Sequence, residues 1–250
     1  MASPSGEALG NRKGCPYDFI ASAFLFLRLH SFQNQLNVKA CLFDLDGVLV
    51  DTAVFHFQAW RRLARELGFD FTEHQNEQLK GISRMESLER ILAWGGVTLS
   101  DGEKNRWAAV KNEWYLQLVR QMTPADVLPG AREFLNDCRD AGLKTALGSA
   151  SKNARLILEN TDLLRYFDAV IDGTHTSRSK PDPEVFLLGA RELGVVPATC
   201  VVFEDAVAGV EAAHRGGMKA VGVGSPTVLA EAEMVIPGFI GFSVERLQTL

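Results

Sequence analysis

The sequence has few cysteines, no excess of basic charge and no apolar run that could cross a membrane, and each shortage excludes a class of protein. Its four cysteines (Cys15, Cys41, Cys138 and Cys200) include no C-x-x-C pair. That scatter argues against a zinc or disulfide framework and indicates core residues in a reducing compartment. The net charge of −5 argues against a nucleic-acid partner. An apolar run at residues 19–27 is too short to span a bilayer, so no membrane partner is expected.

Three familiar motifs are absent or incomplete. The G-x-S-x-G turn of serine hydrolases does not occur. An EF-hand loop beginning at Asp44 would need Gly and Glu where the chain has Leu49 and Phe55. The run at residues 222–227 starts like a dinucleotide-binding G-x-G-x-x-G, but it ends in Thr and no helical pattern follows. A serine hydrolase, a calcium loop and a dinucleotide-binding fold are therefore unsupported.

The order of apolar patterns predicts an α/β protein. From residue 124 onward, short apolar segments alternate with amphipathic helices, which favours a parallel sheet with right-handed crossovers. Residues 53–123 show only helical periodicity, as in the spacing of Val54, Phe57 and Trp60. We predict a Rossmann-like doubly wound parallel sheet core with an inserted small helical cap domain. The core would comprise residues 38–52 and 124–250, and the cap residues 53–123.

Residues 1–37 fit poorly with this pattern and are predicted to be an N-terminal extension. Residues 1–14 are small and polar, which predicts disorder. Arg12 and Lys13 precede the apolar run at 19–27, as in a signal peptide, but the A-x-A triplet lies inside that run rather than after it. We expect a disordered segment or a surface helix, and targeting to another compartment stays an open alternative.

Two aspartates at the end of the first predicted strand indicate a functional site. The segment from Val38 to Phe43 is almost wholly apolar, and Asp44 and Asp46 follow it. In an extended chain, side chains at i and i+2 point to the same side. Buried carboxylates are costly unless they are paired, hydrogen-bonded or bound to metal. A turn rich in Asp and Gly is the alternative, but a metal site with a nucleophilic aspartate explains both acids.

Polar residues also follow the later strands, where ligands bind on parallel sheets. Ser149 comes after the second predicted strand, and Lys180 lies in the loop after the third. Glu204 and Asp205 close the fourth, where Asp205 could instead cap the next helix. Carboxylate oxygens are the ligands that Mg²⁺ prefers. The pattern predicts one magnesium and phosphate site at this edge of the sheet.

These motifs resemble a known superfamily. The run D-L-D-G-V-L-V-D-T that begins at Asp44, followed in order by Ser149, Lys180 and Glu204-Asp205, resembles the haloacid dehalogenase (HAD)-like superfamily of phosphotransferases. Within it the chain is most similar to the β-phosphoglucomutase family. That similarity rests on residues 76–84, 87–88, 111–112, 123–126 and 149–153, together with His56 and Trp60.

The resemblance implies a chemistry and a set of roles. Asp44 would attack phosphorus to form an aspartyl-phosphate, and Asp46 would be the acid/base. Ser149 and Lys180 would hold the transferring phosphate. One Mg²⁺ would be held by Asp44, Asp46, Glu204 and Asp205. The implied substrate-binding residues are Thr52, His56, Trp60, Lys80, Gly81, Ser83, Arg84, Lys111, Ala150, Ser151 and Asn153.

The implied reaction interconverts β-D-glucose 1-phosphate and glucose 6-phosphate, with glucose 1,6-bisphosphate as intermediate and activator. We expect a cytoplasmic monomer whose partners are small sugar phosphates. A hexose-phosphate phosphatase on the same scaffold is the main alternative, because the chemical residues would be shared. A catalytically silent protein that binds a partner through its cap is the second alternative. It is disfavoured because no core acid is missing.

Overall fold

The computed structural model describes residues 38–250 and contains, in that range, one six-stranded parallel sheet. Its spatial order is β3-β2-β1-β4-β5-β6, the order of doubly wound Rossmann-like folds. This confirms the predicted fold class. The prediction for residues 1–37 lies outside the described residues. The strands are β1 (Ala40–Phe43), β2 (Lys144–Gly148), β3 (Ala169–Ile171), β4 (Cys200–Glu204), β5 (Lys219–Val223) and β6 (Met234–Ile236).

Eight α-helices lie in the described range, and the first five fall between β1 and β2, four of them before residue 123, without an intervening strand there. This agrees with the inserted helical block, although its exact bounds at 53–123 stay a prediction. No helix in residues 38–250 is long and apolar enough to cross a membrane. The helices are α1 (Ala53–Glu66), α2 (Glu73–Glu77), α3 (Arg84–Gly95), α4 (Asp101–Val119), α5 (Ala131–Asp140), α6 (Ala154–Asn160), α7 (Glu184–Leu193) and α8 (Val207–Arg215).

Strand β1 forms the centre of the sheet. It is wholly buried and pairs in parallel with β2 on one side and β4 on the other. The Phe43 ring stacks on the Phe203 ring at a centroid distance of 4.8 Å. A strand buried on both faces must be apolar throughout, as β1 is. Its end therefore delivers Asp44 to the middle of the sheet edge, between the ends of β2 and β4.

The inserted helices have a hydrophobic cluster of their own. Trp60 and Leu63 of α1 pack with Leu88 and Ile91 of α3 and with Ala108 of α4. Helix α3 begins where it does because the Ser83 side chain accepts a hydrogen bond from the Glu86 N–H. Serine also caps α4. The Ser83 cap sets the first residue of α3 at Arg84, which lines the cavity described below.

Two elements near the C-terminus were not predicted from the sequence. Strand β6 has three residues and a half-buried start, and a short 3₁₀ helix spans Val244–Thr249. Three residues are too few to display the alternation or the long apolar run that marks a strand. Helix α7 begins at Glu184, and Pro183 is its N-cap.

Candidate active site

The ends of four neighbouring strand segments converge on one cavity of about 500 Å³ between the sheet edge and the inserted helices. The core contributes acids from the ends of β1 and β4, Ser149 after β2, and Lys180 from the loop after β3. The inserted helices contribute the opposite lining. Cavity-lining residues that the sequence singled out are Asp44, Asp46, His56, Trp60, Lys80, Gly81, Ser83, Arg84, Lys111, Ser149, Ala150, Ser151, Asn153, Lys180 and Asp205.

A buried lysine pairs with two acids on the core side of this cavity. The Lys180 Nζ lies 2.5 Å from Asp44 Oδ1 and also pairs with Glu204 Oε1. Lys180 is 2% exposed and Glu204 is fully buried. Burial opposes the charged lysine, but the two carboxylates raise its pKa above the ordinary value. Burial and the charges of Asp44 and Asp205 raise the pKa of Glu204 to about 8, against the opposing effect of Lys180. Lys180 is therefore a fixed positive charge beside Asp44.

Asp46 lies beside Asp44 in a different environment. Its backbone N–H donates to Asp44 Oδ2 at 3.0 Å, and its own Oδ1 accepts a hydrogen bond from the Thr52 hydroxyl. Desolvation and the charge of Asp44 raise the pKa of Asp46 to about 7, although the Thr52 hydroxyl lowers it. A carboxyl group that titrates near neutrality can both give and take a proton.

Two glycines make room for the acids that follow β4. Gly47 has a φ of +81°, and a Cβ atom there would overlap the Asp205 carboxylate. A Cβ atom on Gly209, in helix α8, would overlap the Glu204 carboxylate. Glycine is thus required at 47 both for its backbone conformation and for the close approach of an acid. Asp205 and Glu204 therefore each lie directly against the backbone of a glycine.

The carboxyl groups at this edge of the sheet are donors of the chemical kind that a hard divalent cation binds. Within residues 38–250 no three His, Cys, Asp or Glu side chains are close enough together to hold one metal ion, and Lys180 and Lys80 pair with the carboxylates. Asp44, Asp46, Glu204 and Asp205 nevertheless place four carboxyl groups against two ammonium groups. Burial and mutual repulsion raise the pKa of Asp205 to about 6, although Lys80 lowers it. Mg²⁺ binds carboxylate oxygens, and its positive charge would offset the negative charge of these acids.

The inserted helices carry a second buried cluster. The Lys111 Nζ lies 2.9 Å from His56 Nδ1 and 4.2 Å from the centroid of the Trp60 ring. Burial and the charge of Arg84 lower the pKa of Lys111. Burial and the charges of Lys111 and Arg84 likewise lower the pKa of His56. The cluster therefore favours binding of an anionic group that would offset its positive charge.

Two contacts join the inserted helices to the core across the cavity. The Lys80 Nζ lies 3.1 Å from Asp205 Oδ2, and Asn153 Nδ2 donates to Asn112 Oδ1 at 2.8 Å. Arg84 is half-buried at the start of α3, and no carboxylate of residues 38–250 pairs with it. Burial lowers its pKa. Arg84 is therefore available to a ligand anion, whereas Lys80 already bridges cap and core.

The structure brings the predicted site residues together, with two lying one layer behind the lining. Thr52 and Glu204 do not line the cavity, but each bonds a residue that does, Asp46 and Lys180 respectively. Their functional roles stay predictions. Sequence reasoning did not single out Tyr115, which lies one helical turn after Lys111 and could have been found from that spacing.

Comparisons with known proteins agree with this geometry. Residues 38–217 match the haloacid dehalogenase-like hydrolase family. A β-phosphoglucomutase from Bacillus subtilis is 42% identical, with 84% of this chain and 94% of that protein covered. The crystal structure of β-phosphoglucomutase from Clostridium difficile superposes with a TM-score of 0.82 at 42% identity, covering 85% of this chain and 96% of that chain. A phosphorylated carbohydrates phosphatase from Thermotoga maritima is 33% identical, with 74% and 84% covered.

Proposed function

Because the chain belongs to the haloacid dehalogenase-like hydrolase family, we propose that it is a β-phosphoglucomutase. Such an isomerase interconverts β-D-glucose 1-phosphate and glucose 6-phosphate. The observation that carries the proposal is a cavity with cationic groups on both of its sides. Lys180 lies beside Asp44 on the core side, and on the opposite side Arg84 has no carboxylate partner within residues 38–250. A sugar with two phosphate groups needs a cationic group for each phosphate, one on each side of the cavity.

The proposed chemical steps are carried out by this chain's own residues. Asp44 attacks phosphorus, the bond from phosphorus to the sugar oxygen breaks, and an aspartyl-phosphate forms. Asp46 gives a proton to the departing oxygen, and in the return step it removes a proton from the hydroxyl that is phosphorylated. Lys180 and Ser149 stabilise the charge of the transferring group. The raised pKa of Asp46, about 7, suits both proton transfers.

Magnesium is the proposed cofactor, one ion per site. Asp44, the backbone carbonyl of Asp46, Glu204 and Asp205 would hold it. When bound, the ion offsets the negative charge that a phosphate brings to these carboxylates. Turnover should be lost in EDTA and return with added Mg²⁺, and Asp205→Ala should raise the Mg²⁺ concentration needed for half-maximal rate. Undiminished turnover in metal-free buffer would overturn this assignment.

Glucose 1,6-bisphosphate is the proposed intermediate and activator. The phosphoenzyme passes its phosphate to a glucose monophosphate, and the resulting bisphosphate must present its other phosphate to Asp44. Arg84, Ser151 and Asn153 are proposed to hold the phosphate that does not react, with Lys80, Gly81 and Trp60 around the sugar. Bidentate binding by the Arg84 guanidinium suits a phosphate group.

A hexose-phosphate phosphatase is the second candidate, favoured by the similarity to the Thermotoga maritima phosphatase. The two functions differ in whether a sugar hydroxyl or water accepts the phosphate from Asp44. The decisive experiment incubates the protein with β-D-glucose 1-phosphate, Mg²⁺ and a trace of bisphosphate, and measures glucose 6-phosphate and free phosphate together. The α-anomer is the control substrate. Faster isomerisation than phosphate release supports the mutase, and the reverse ranking supports the phosphatase.

Two further properties belong to the proposal. We propose that the protein acts as a monomer in the cytoplasm. Light scattering on the purified protein and fractionation of its source cells would test the two statements separately.

A further inference from the structure

The lysine beside Asp44 lies in an irregular segment of the chain. Residues 172–183 connect β3 to helix α7, and they form neither a helix nor a strand. Lys180 lies in this segment and is buried, with its Nζ 2.5 Å from Asp44 Oδ1. Connecting segments are more mobile than the elements that they join. A fixed position of the Lys180 ammonium group therefore needs contacts that hold this segment.

Glu184, the first residue of α7, supplies such contacts. Its Oε2 accepts hydrogen bonds from the backbone N–H of Ser177 at 2.9 Å and from that of Arg178 at 2.8 Å. The Ser177 hydroxyl donates to Oε1 of the same carboxylate at 3.1 Å. The N–H groups of Arg178 and Ser177 lower the pKa of Glu184 below its ordinary value. Hydrogen bonds to an ionised acceptor are stronger than neutral ones.

These bonds enclose Lys180 in a closed loop. They join the backbone before the lysine to the helix that follows it. Inside the loop, the Asp182 N–H donates to the Ser179 carbonyl at 2.9 Å, and the Glu184 N–H donates to Asp182 Oδ1 at 3.0 Å. Helix α7 also places the Phe186 ring centroid 4.7 Å from the Lys180 Nζ. The segment that carries Lys180 is therefore tied to α7 at both of its ends.

We propose that Glu184 is a positioning residue, which holds Lys180 beside Asp44 by binding the backbone of residues 177 and 178. Lys180 lines the cavity and Glu184 does not, so Glu184 acts through the loop. This inference rests on the proposed function, because there Lys180 stabilises the transferring phosphate. A displacement of about 1 Å at a reacting centre can lower the rate ~100-fold.

The alternative is that Glu184 only stabilises helix α7. An acid in the first turn of a helix interacts favourably with the positive end of the helix dipole. Glu133 occupies the first turn of α5 in the same way, and it is exposed and outside the cavity. The two acids share the effect on a helix, whereas Glu184 also binds the loop that carries Lys180. Glu133→Ala is therefore the matched control.

Amide hydrogen exchange tests the bonds to the loop without any assay of activity. In Glu184→Ala, the amides of residues 177 and 178 lose their acceptor, so we expect them to exchange about tenfold faster than in the wild type. Glu133→Ala should leave exchange in this segment unchanged. Equal exchange of residues 177 and 178 in the wild type and in Glu184→Ala would overturn the inference.

Steady-state kinetics test the consequence for Lys180. Glu184→Ala should lower kcat about tenfold and leave KM for β-D-glucose 1-phosphate nearly unchanged, because other residues are proposed to hold the sugar and the phosphate that does not react. Glu184→Gln should recover most of this loss, since one amide oxygen can accept both N–H groups without a charge. The inference would be wrong if Glu184→Gln and Glu184→Ala lost equal activity. It would also be wrong if kcat of Glu184→Ala, measured well below its melting temperature, equalled that of Glu133→Ala.

The wild-type protein is assayed first, so that the two proposals fail separately. If it releases phosphate from glucose 6-phosphate and does not isomerise β-D-glucose 1-phosphate, the mutase proposal fails. The variants are then ranked by phosphate release, which also needs the charge of Lys180. Glu184→Ala must still exchange faster and react more slowly than Glu133→Ala, and the failure of either result would overturn the Glu184 inference alone.

Discussion

Asp44 combines two properties that a nucleophile toward phosphorus needs. One of its oxygens is paired with the buried Lys180, and the other accepts the backbone N–H of Asp46. These contacts fix the orientation of the carboxylate and place a positive charge beside it. Positioning and charge stabilisation account for most of the catalysis of phosphoryl transfer.

Asp44→Asn should therefore abolish turnover and phosphoenzyme, because an amide cannot form an acyl phosphate. We expect a loss of at least roughly a hundredfold in kcat, measured by isomerisation and by labelling with a phosphate donor. Asp51→Asn is the matched control, because Asp51 is exposed and outside the cavity. The Asp51 side chain accepts a hydrogen bond from the Ala53 N–H, and the amide oxygen of asparagine can accept the same bond, so this control should keep its activity. Retained turnover in Asp44→Asn would point to another nucleophile.

Gly209 supports the site without touching the cavity. A methyl group there would overlap the Glu204 carboxylate, so Gly209→Ala should displace Glu204 and with it the ion pair to Lys180. We expect lower thermal stability and lower kcat, measured by calorimetry and steady-state kinetics. Gly102→Ala is the control, since Gly102 is also helical but has open space around it. That change should stabilise by about 0.5–1 kcal/mol. Equal behaviour of the two variants would contradict this account of Gly209.

Local spacing made the aspartates predictable, whereas their partners required the fold. Asp44 and Asp46 could be assigned to one face because side chains alternate along a strand. The pairing of Lys180 with Glu204 joins residues 24 positions apart on different elements. No local periodicity specifies such a contact, and the sequence analysis did not predict it.

At the scale of elements, helix α3 is oriented so that its first residue faces the cavity. Ser83 caps the helix, and Arg84 follows as a half-buried cation without a carboxylate partner in the described range. Arg90, farther along the same helix, is exposed and paired with Glu86. The two arginines share a helix and a charge, and they differ in access to a ligand.

Arg84→Ala should reduce mutase turnover by orders of magnitude, because the phosphate that does not react loses its partner and no longer favours closure over the substrate. Slow hydrolysis of the phosphoenzyme should change little, since that step needs only Asp44 and water. Both rates are measured on one preparation. Arg90→Ala is the control and should leave both unchanged. If the two rates fell equally in Arg84→Ala, Arg84 would instead belong to the chemistry or to folding.

Elements with a full amphipathic period were predictable, and short or functionally constrained positions were not. Strand β6 is an edge strand of three residues that β5 aligns by backbone pairing. Tyr115 lies on the buried side of α4, one helical turn after Lys111. That spacing indicated a neighbour of Lys111, but the stacking of its ring on His56 joins two helices and needed the structure.

At the scale of the described domain, two hydrophobic clusters flank the cavity, one under the sheet and one among α1, α3 and α4. Lys80 with Asp205 and Asn112 with Asn153 bridge the cavity. Ion pairs and hydrogen bonds of this kind exchange partners readily when an anion enters. The arrangement suits a cap that closes on a phosphorylated sugar and excludes water.

The final prediction concerns the chain before this domain. Backbone pairing of the sheet begins at Lys39, whose N–H donates to the Thr199 carbonyl at 2.8 Å, and Val38 is already buried. Strand β1 then pairs on both edges from Ala40 onward. We therefore expect the core to form without the residues before Asn37.

A protein that starts at Asn37 should keep the melting temperature and kcat of the full chain. A second truncation that starts at Leu42 is the matched control. It removes two of the four residues of the central strand, so we expect it to be insoluble or unfolded. Circular dichroism, thermal unfolding and the isomerisation assay compare the three proteins. Loss of folding in the Asn37 truncation would show that the preceding segment contributes to the core, because every β1 contact described above would still be present.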